Sequence, residues 1–187
     1  MNQLAGRFAA MLLCVSGSAF AQGYVGVGAG SARLNVDCTG TTSCSGSDTG
    51  MKLFGGYHFS PGFAAELVYA DFGKAKATVG TGAGAVTGSI KSSLIGIGVA
   101  ASSNFTADWS GVARVGVGRV KADVNGTGFG VSASTRDTST QAYVGLGLGY
   151  AVSKMVSLDA GLDFSRAKFA GESGGLRLFS VGATFSF

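Results

Sequence analysis

The stretch Leu178-Phe179-Ser180-Val181-Gly182-Ala183-Thr184-Phe185-Ser186-Phe187 decides the fold. From Phe179 onward, every second residue is apolar, and small or polar residues lie between the apolar ones. A period of two is typical of a β-strand, whose successive side chains point to opposite faces. This strand therefore has one apolar face and one polar face.

The same alternation recurs along the chain. The predicted strands are 23–34, 49–59, 63–73, 89–102, 109–122, 139–151, 155–167 and 176–187. Their apolar faces carry no charge at membrane depth, where one Lys or Arg would cost roughly 2–4 kcal/mol. In a bilayer a sheet must close, because an open edge would leave backbone groups unpaired in hydrocarbon. The pattern predicts an all-β fold, an eight-stranded antiparallel up-and-down transmembrane β-barrel.

Short and long connections alternate between these strands. The short ones are 60–62, the stretch around Asn104, and 153–154; the long ones are 35–48, 74–88, 123–138 and 168–175. Bacterial outer-membrane barrels have short periplasmic turns and longer extracellular loops. We therefore expect four extracellular loops, with both chain termini on the periplasmic side.

The opposite face of the strands reads mostly Gly and Ser, and only 13% of residues are charged. A soluble sandwich would solvate that face with many charges, whereas a narrow eight-stranded lumen needs small residues. Aromatic residues cluster at strand ends, as in membrane-interface girdles. The predicted girdles are Tyr24, Tyr57, Phe59, Phe63, Phe105, Trp109, Tyr150, Phe185 and Phe187 at the short-turn end, and Tyr69, Phe164, Phe169 and Phe179 toward the other.

The N-terminus has the features of a cleaved signal peptide over residues 1–21. Arg7 precedes a short apolar run at 8–15, and Ala19-Phe20-Ala21 forms an A-x-A site before Gln22. The run is too short to cross the bilayer. We therefore expect an exported barrel domain over 22–187.

Two cysteines remain in that domain, Cys38 and Cys44, both among polar residues. In an exported chain such a pair is most simply a disulfide. Two sulfurs with no nearby His are too few ligands for a metal. We expect no metal and no other cofactor.

Several ionisable residues have the parity of the inner face: Lys52, His58, Glu66, Arg114, Asp159 and Asp163. Charges in a narrow lumen must be paired. The predicted network joins Lys52 and Arg114 to carboxylates at Glu66, Asp159 and Asp163. It could be a gate or proton path, or a salt-bridged plug that fixes strand register; we favour the plug.

A basic rim is predicted at the long-loop end of the strands. It consists of Arg33, Lys74, Lys76, Lys91, Arg119, Lys121, Arg136, Arg166, Lys168 and Arg177. Cations at that height can pair with the phosphates of lipopolysaccharide. The alternative is a plainly solvated rim. Nucleic acid is not an expected partner, because neither a groove-entering helix nor an aromatic base platform is present.

Three motifs carry a family resemblance. They are Tyr24-Val25-Gly26-Val27-Gly28-Ala29-Gly30; Gly55-Gly56-Tyr57-His58-Phe59-Ser60-Pro61-Gly62 leading into Ala65-Glu66-Leu67-Val68-Tyr69-Ala70-Asp71-Phe72-Gly73; and the ending Val181-Gly182-Ala183-Thr184-Phe185-Ser186-Phe187. Through them the chain resembles the OmpA/OmpX-like and opacity-protein family of eight-stranded outer-membrane barrels. The resemblance implies a Gram-negative outer membrane, lipid and lipopolysaccharide contacts, and host surface molecules bound by the loops. It also implies ion pairing of Glu66 with Arg114 and Lys52, and a C-terminal signal at Phe185 and Phe187 for the barrel-assembly machinery.

The function predicted from these features is structural and surface-interacting, by adhesion or host-factor binding, in a monomer without enzymatic activity. A small gated channel is the alternative. A lipid A-modifying enzyme is a weaker alternative. It is considered because His58-Phe59-Ser60 with Glu66 superficially fits the pattern of a lipid A deacylase. That trio falls at the short-turn end, away from the leaflet that contains lipid A, so no residue is assigned a catalytic role.

Overall fold

The computed structural model describes residues 22–35, 41–81, 84–128, 131–169 and 172–187. The predicted signal peptide and Cys38 lie outside these residues. None of the helices among them is long and apolar enough to cross a membrane.

Nine strands are described, and eight of them form one closed antiparallel ring. They are β1 Gly23–Leu34, β2 Ser43–Ser45, β3 Ser47–Ser60, β4 Phe63–Thr81, β5 Gly84–Asn104, β6 Trp109–Gly128, β7 Val131–Ala151, β8 Val156–Phe169 and β9 Glu172–Ser186. Eight of them pair in the order β1, β3, β4, β5, β6, β7, β8, β9, and β9 returns to β1. The ninth, β2, pairs with β4 outside this ring. The predicted eight-stranded barrel is confirmed.

The outer face of the ring is apolar and accessible. Val27, Ile97 and Leu146 are 56%, 64% and 61% exposed and point away from the lumen. In lipid these side chains contact acyl chains, while the ring pairs the backbone groups that hydrocarbon cannot solvate.

Three of the four predicted long loops are wrong as loops. The described parts of segments 74–88, 123–138 and 168–175 continue the barrel strands and pair with each other as far as Thr81↔Gly84, Gly128↔Val131 and Phe169↔Glu172. Thr and Val residues in 74–88 and 123–138 favour strands, and water above the membrane solvates either face. A bulge between Asp71 and Lys74, with Gly73 at φ +68°, bends β4 where it leaves the barrel wall. The fourth predicted loop, 35–48, contains β2.

The Gly and Ser pattern suggested a polar lumen, but the lumen is not polar throughout. Its external half holds an apolar layer of fully buried side chains, made of Phe72, Leu94, Val120, Leu176 and Leu178. Each such side chain contributes roughly 1.5–3 kcal/mol when buried. Alternation predicts which face a residue occupies, but it cannot say whether water reaches that face. We call this set the apolar layer.

Two inner-face glycines make room for aromatic rings. Gly26 lies opposite Phe54 and Gly56 opposite Tyr24, and a Cβ at either glycine would collide with the facing ring. Tyr24 therefore points into the lumen and is only 8% exposed. Its predicted place in the interfacial girdle is wrong, because its parity matches that of the inner glycines.

We predict that Gly182→Ala weakens barrel closure. A Cβ at Gly182 would meet the Val27 carbonyl oxygen and lie 2.6 Å from the Cα of Gly28, both backbone atoms of β1. Overpacking of this kind costs about 1–3 kcal/mol. Urea unfolding in phospholipid vesicles, followed through the single tryptophan, Trp109, measures the loss.

Gly161→Ala is the matched control, because its Cβ would meet the Leu146 carbonyl oxygen at 3.5 Å and the Ser180 hydroxyl at 3.8 Å, both ordinary contacts. Equal unfolding midpoints for the two variants would contradict the prediction.

Candidate functional site

Glu66 on β4 is the centre of the lumen site. The residue is 3% exposed, and its carboxylate accepts hydrogen bonds from side chains on two other strands. Arg114 Nε on β6 lies 3.0 Å from both carboxylate oxygens, and the Tyr24 hydroxyl on β1 donates to Oε2 at 3.0 Å. Charge-assisted bonds of this type are roughly twice as strong as neutral ones. The three strands are therefore cross-linked through the lumen.

A second ion pair crosses between β3 and β8. Lys52 Nζ lies 2.7 Å from Asp163 Oδ1, and the two side chains are 4% and 6% exposed. The partners are 111 positions apart in the chain. Because both charges are removed from water, loss of either partner would leave the other uncompensated.

The Phe54 ring joins the two ion pairs. Lys52 Nζ lies 5.1 Å and Arg114 Cζ lies 4.7 Å from its centroid, both within cation–π range. Tyr143 is also buried on this face, opposite Gly116. Sequence reasoning missed Tyr24, Phe54 and Tyr143, although their inward parity was readable, because it searched the lumen for charges only.

The predicted network is brought together in part. Four of its five residues form the two ion pairs, with Lys52 on Asp163. The expected pairing of Lys52 with Glu66 is thus replaced by one with Asp163. Asp159 has no ion pair in the described part of the chain; it accepts a hydrogen bond from the Ser157 hydroxyl at 3.4 Å.

Among the described residues, the lumen has a polar cavity at the short-turn end. A cavity of about 120 Å³ there is lined by Tyr24, His58, Ser110, Asp159 and Thr184, among others, and reaches Arg114 and Phe54. Beyond it lies a void of about 20 Å³ beside Lys52, and then the apolar layer. The two ion pairs and the apolar layer fill the described lumen beyond this cavity, and no through-passage is seen among the described residues.

The residues proposed for a deacylase do not form a catalytic group. His58 Nδ1 lies 3.2 Å from the Gln22 carbonyl oxygen, and its ring contacts Tyr24 at a centroid distance of 5.1 Å. The Glu66 carboxylate is instead bound by Arg114 and Tyr24. In the described part of the chain no hydrogen bond joins this carboxylate to the His58 imidazole.

The predicted rim residues lie at the external ends of the strands, and nine of the ten are exposed, with Lys91 half-buried. On the β8–β9–β1 side, Arg33 faces Arg177 directly across the strand pair, and Arg166 lies one row farther out. The outward positions of these three strands carry no carboxylate in the described ranges. We call Arg33, Arg166 and Arg177 the arginine cluster.

The β4–β7 side of the rim is partly self-neutralised. Lys91 Nζ lies 2.9 Å from Asp71 Oδ2, and Arg136 pairs with Asp123. The Asp71 carboxylate raises the pKa of Lys91. Nearby, the backbone N–H groups of Thr49 and Lys74 bind the Asp48 carboxylate, both at 2.8 Å, and lower its pKa. The remaining cations here are Lys74, Lys76, Arg119 and Lys121, and Lys168 extends the opposite side.

Two other predicted sites are only partly visible. Cys44 lies half-buried in β2, but Cys38 is outside the described residues, so the disulfide stays a prediction. Phe185 and Phe187 are 42% and 45% exposed beside the closing β1–β9 seam. Their recognition by the assembly machinery also stays a prediction.

Comparison with protein families identifies this architecture. The model of the outer membrane protein beta-barrel domain matches residues 8–187. The chain belongs to this family of outer-membrane barrels, which implies the outer membrane of a Gram-negative bacterium. Comparison with curated protein sequences gave no significant match.

Solved structures agree on the fold. Neisserial surface protein A is 20% identical, with a TM-score of 0.60, covering 88% of this chain and 97% of that one. OprG from Pseudomonas aeruginosa is 15% identical, with a TM-score of 0.57, covering 90% and 97%. Ail, the attachment invasion locus protein of Yersinia pestis, is 18% identical, with a TM-score of 0.55, covering 89% and 98%; it was solved with the heparin analogue sucrose octasulfate. At these identities the likeness shows the fold alone.

We predict that Glu66→Ala destabilises the barrel by about 3–5 kcal/mol, because Arg114 would keep a buried, unpaired charge. The double variant Glu66→Ala/Arg114→Ala should be more stable than Glu66→Ala alone. Urea unfolding in vesicles measures both.

Asp159→Ala is the matched control, since its inward carboxylate has no ion pair in the described ranges. If Asp159→Ala cost as much as Glu66→Ala, the ion pair would not be the source of the stability.

Proposed function

We propose that this protein is a structural barrel of the outer membrane that binds lipopolysaccharide phosphates at its rim and presents a surface for extracellular partners, by adhesion or host-factor binding. The observation that carries the proposal is a four-stranded sheet outside the barrel. It consists of 74–81 of β4, 84–91 of β5, 121–128 of β6 and 131–140 of β7. We call it the external sheet.

The external sheet has no role in crossing the membrane. Its strands continue some eight residues past the rim, which corresponds to about 25 Å along the strand at about 3.3 Å per residue. Its surface is rich in exposed Ser and Thr, as in the run Ser132-Ala133-Ser134-Thr135. An ordered polar sheet held away from the bilayer supports a role in surface contacts.

The arginine cluster supports the lipopolysaccharide contact. Like charges directly opposite each other on a sheet are destabilising, and Arg33 faces Arg177 without a neutralising carboxylate in the described ranges. Phosphate between two guanidinium groups would remove this repulsion and accept paired hydrogen bonds. Phe164 lies opposite Arg177, and Phe179 is the next lipid-facing residue of β9 on the membrane side of Arg177. The cluster therefore lies at an aromatic membrane boundary.

The lumen favours this role over the alternatives. The apolar layer and the two ion pairs fill the space that a channel would need. The engagement of Glu66 with Arg114 and Tyr24 likewise disfavours the deacylase interpretation. We accordingly assign no catalytic residue and expect the lumen to act as a structural plug.

We predict that the triple variant Arg33→Gln/Arg166→Gln/Arg177→Gln binds lipid A about tenfold more weakly, a loss of about 1.4 kcal/mol. Titration of bisphosphorylated lipid A into detergent-solubilised protein measures the affinity. Dephosphorylated lipid A should bind the variant and the unchanged protein alike.

The control is Lys91→Gln/Arg136→Gln, which removes two rim cations already paired with Asp71 and Asp123. An equal loss in this control would mean that overall charge, rather than the arginine cluster, sets the affinity.

We predict that a barrel trimmed of residues 75–90 and 122–137, each replaced by Asn-Gly, still inserts and folds but no longer attaches cells to extracellular-matrix proteins. The trimmed strands end in the cross-strand pairs Lys74↔Lys91 and Lys121↔Thr138, beyond the barrel wall. Attachment of cells that express the variant is measured on surfaces coated with matrix proteins.

The matched control is trimming of 167–174 in the β8–β9 hairpin, which leaves the external sheet intact. Attachment by the first variant at the level of the unchanged protein would refute the proposed surface role.

A further inference from the structure

The segment Asp123-Val124-Asn125-Gly126-Thr127 of β6 contains the acceptor motif for N-linked glycosylation. The motif is Asn, then any residue except Pro, then Ser or Thr, and in an exported chain it marks a surface position that can carry sugar. A match over three residues is common by chance, so the surroundings of Asn125 must show whether a glycan fits there.

Asn125 presents its side chain on the outer face of the external sheet. Its odd position in β6 is shared by Val115 and Val117, which face lipid lower in the same strand. Asn125 is exposed, and its side-chain amide forms no hydrogen bond in the described part of the chain. The nitrogen that would carry a sugar is therefore accessible and not engaged elsewhere.

The space beside Asn125 can hold a sugar ring. Asn125 pairs with Ser89 on β5 and with Ser134 on β7, so short side chains flank it on both sides. A first sugar would meet no bulky apolar group here, and serine hydroxyls both donate and accept the hydrogen bonds that a sugar forms. A polar groove of about 340 Å³ adjoins this position and is lined by Asp123, Asn125, Ser134, Thr135 and Arg136.

The pairing of the external sheet determines when such a modification is possible. In the folded protein every residue from Asp123 to Thr127 is paired with β5 on one side and with β7 on the other. A transferase has to bind its acceptor as an extended chain, and a central strand has no backbone groups free for that contact. The exported chain offers 123–127 only before these strands pair, so glycosylation has to precede folding of the barrel.

Asp123 adds a second feature to the acceptor segment. Residues of one parity point to the same side of an extended chain, so Asp123, Asn125 and Thr127 place a carboxylate, an amide and a hydroxyl in one row. An enzyme can thus bind a side chain on each side of the reacting amide, and the carboxylate supplies a charge-assisted contact.

A second Asn-x-Thr motif in the chain serves as an internal comparison. Asn104-Phe105-Thr106 has Ser102 in place of the carboxylate two residues before Asn. It lies where β5 enters a short turn, in which the Thr106 hydroxyl accepts the Trp109 N–H at 3.0 Å. Because this motif lacks the charged group, we expect Asn104 to stay unmodified.

We propose that Asn125 is a site of N-linked glycosylation, modified from a lipid-linked oligosaccharide in the periplasm before the barrel folds. In this step the Asn125 Nδ2 attacks the anomeric carbon of the reducing-end sugar, and the new N–C bond forms as the bond from that carbon to the diphosphate oxygen breaks. The lipid diphosphate leaves with the electron pair, and one amide proton passes to a base of the transferase. The inference goes beyond the proposed surface role and does not depend on it.

The test is mass spectrometry of the protein purified from the outer membranes of the bacterium that produces it. Trypsin releases the two motifs in separate peptides: 122–136 contains Asn125 as its single Asn, and 92–114 contains Asn104. We expect peptide 122–136 to carry the added mass of an oligosaccharide and peptide 92–114 to have the mass of its sequence alone.

Three variants identify the linkage. Asn125→Gln and Thr127→Val should both lose the added mass, whereas Thr127→Ser should retain it, because serine keeps the hydroxyl that the motif requires. A peptide 122–136 without added mass in protein from its native membrane would overturn the proposal. So would an added mass that persists in Asn125→Gln, since the sugar would then be linked to a Ser or Thr.

The order of events is tested separately. Membranes of the same bacterium should glycosylate a synthetic peptide of residues 121–129 and leave unmodified barrel already folded in vesicles without sugar. Equal modification of the peptide and the folded barrel would refute glycosylation before folding.

Discussion

Backbone hydrogen bonding in hydrocarbon is the constraint on which this structure depends. Lipid offers no partner to an N–H or C=O group, so the eight strands must pair with one another until the last, β9, meets the first. Closure then determines the other features. The outer face must be free of charge, and the lumen of so small a ring is barely wide enough for side chains.

The narrow lumen explains why charge and aromatic rings occur together inside it. Glu66, Arg114, Lys52 and Asp163 are buried and therefore paired, and Phe54 contacts both cations. Glycines at Gly26 and Gly56 give the rings space against the wall. With the apolar layer above, the interior is a packed core that ties opposite strands together, and its polar cavity lies at the short-turn end.

Above the membrane the constraint is relaxed, because water can satisfy an open edge. Four strands continue there as the external sheet, while β8 and β9 form a shorter hairpin. Two asymmetries result around the barrel. The arginine cluster lies on the side whose described outward positions lack carboxylates, and segment 131–143 of β7 pairs with β6 alone in the described part of the chain, because β7 and β8 part at Val144↔Phe164. The arginine cluster is the part of the rim where we propose that lipopolysaccharide phosphates bind.

The sequence by itself determined the strands, their lipid-facing sides and the members of the lumen ion pairs, because side-chain alternation is local and a buried charge needs a counter-charge. It could not show that Lys52 pairs with Asp163, that the Tyr24 hydroxyl donates to Glu66, or that Asp159 has no ion pair among the described residues. Those choices depend on strand register and tilt around the closed ring, which bring together residues as far apart as 111 positions. The tertiary structure also decided that segments 74–88 and 123–138 are strands rather than loops. Polar alternation fits either state in water, and only pairing with a neighbouring strand selects one.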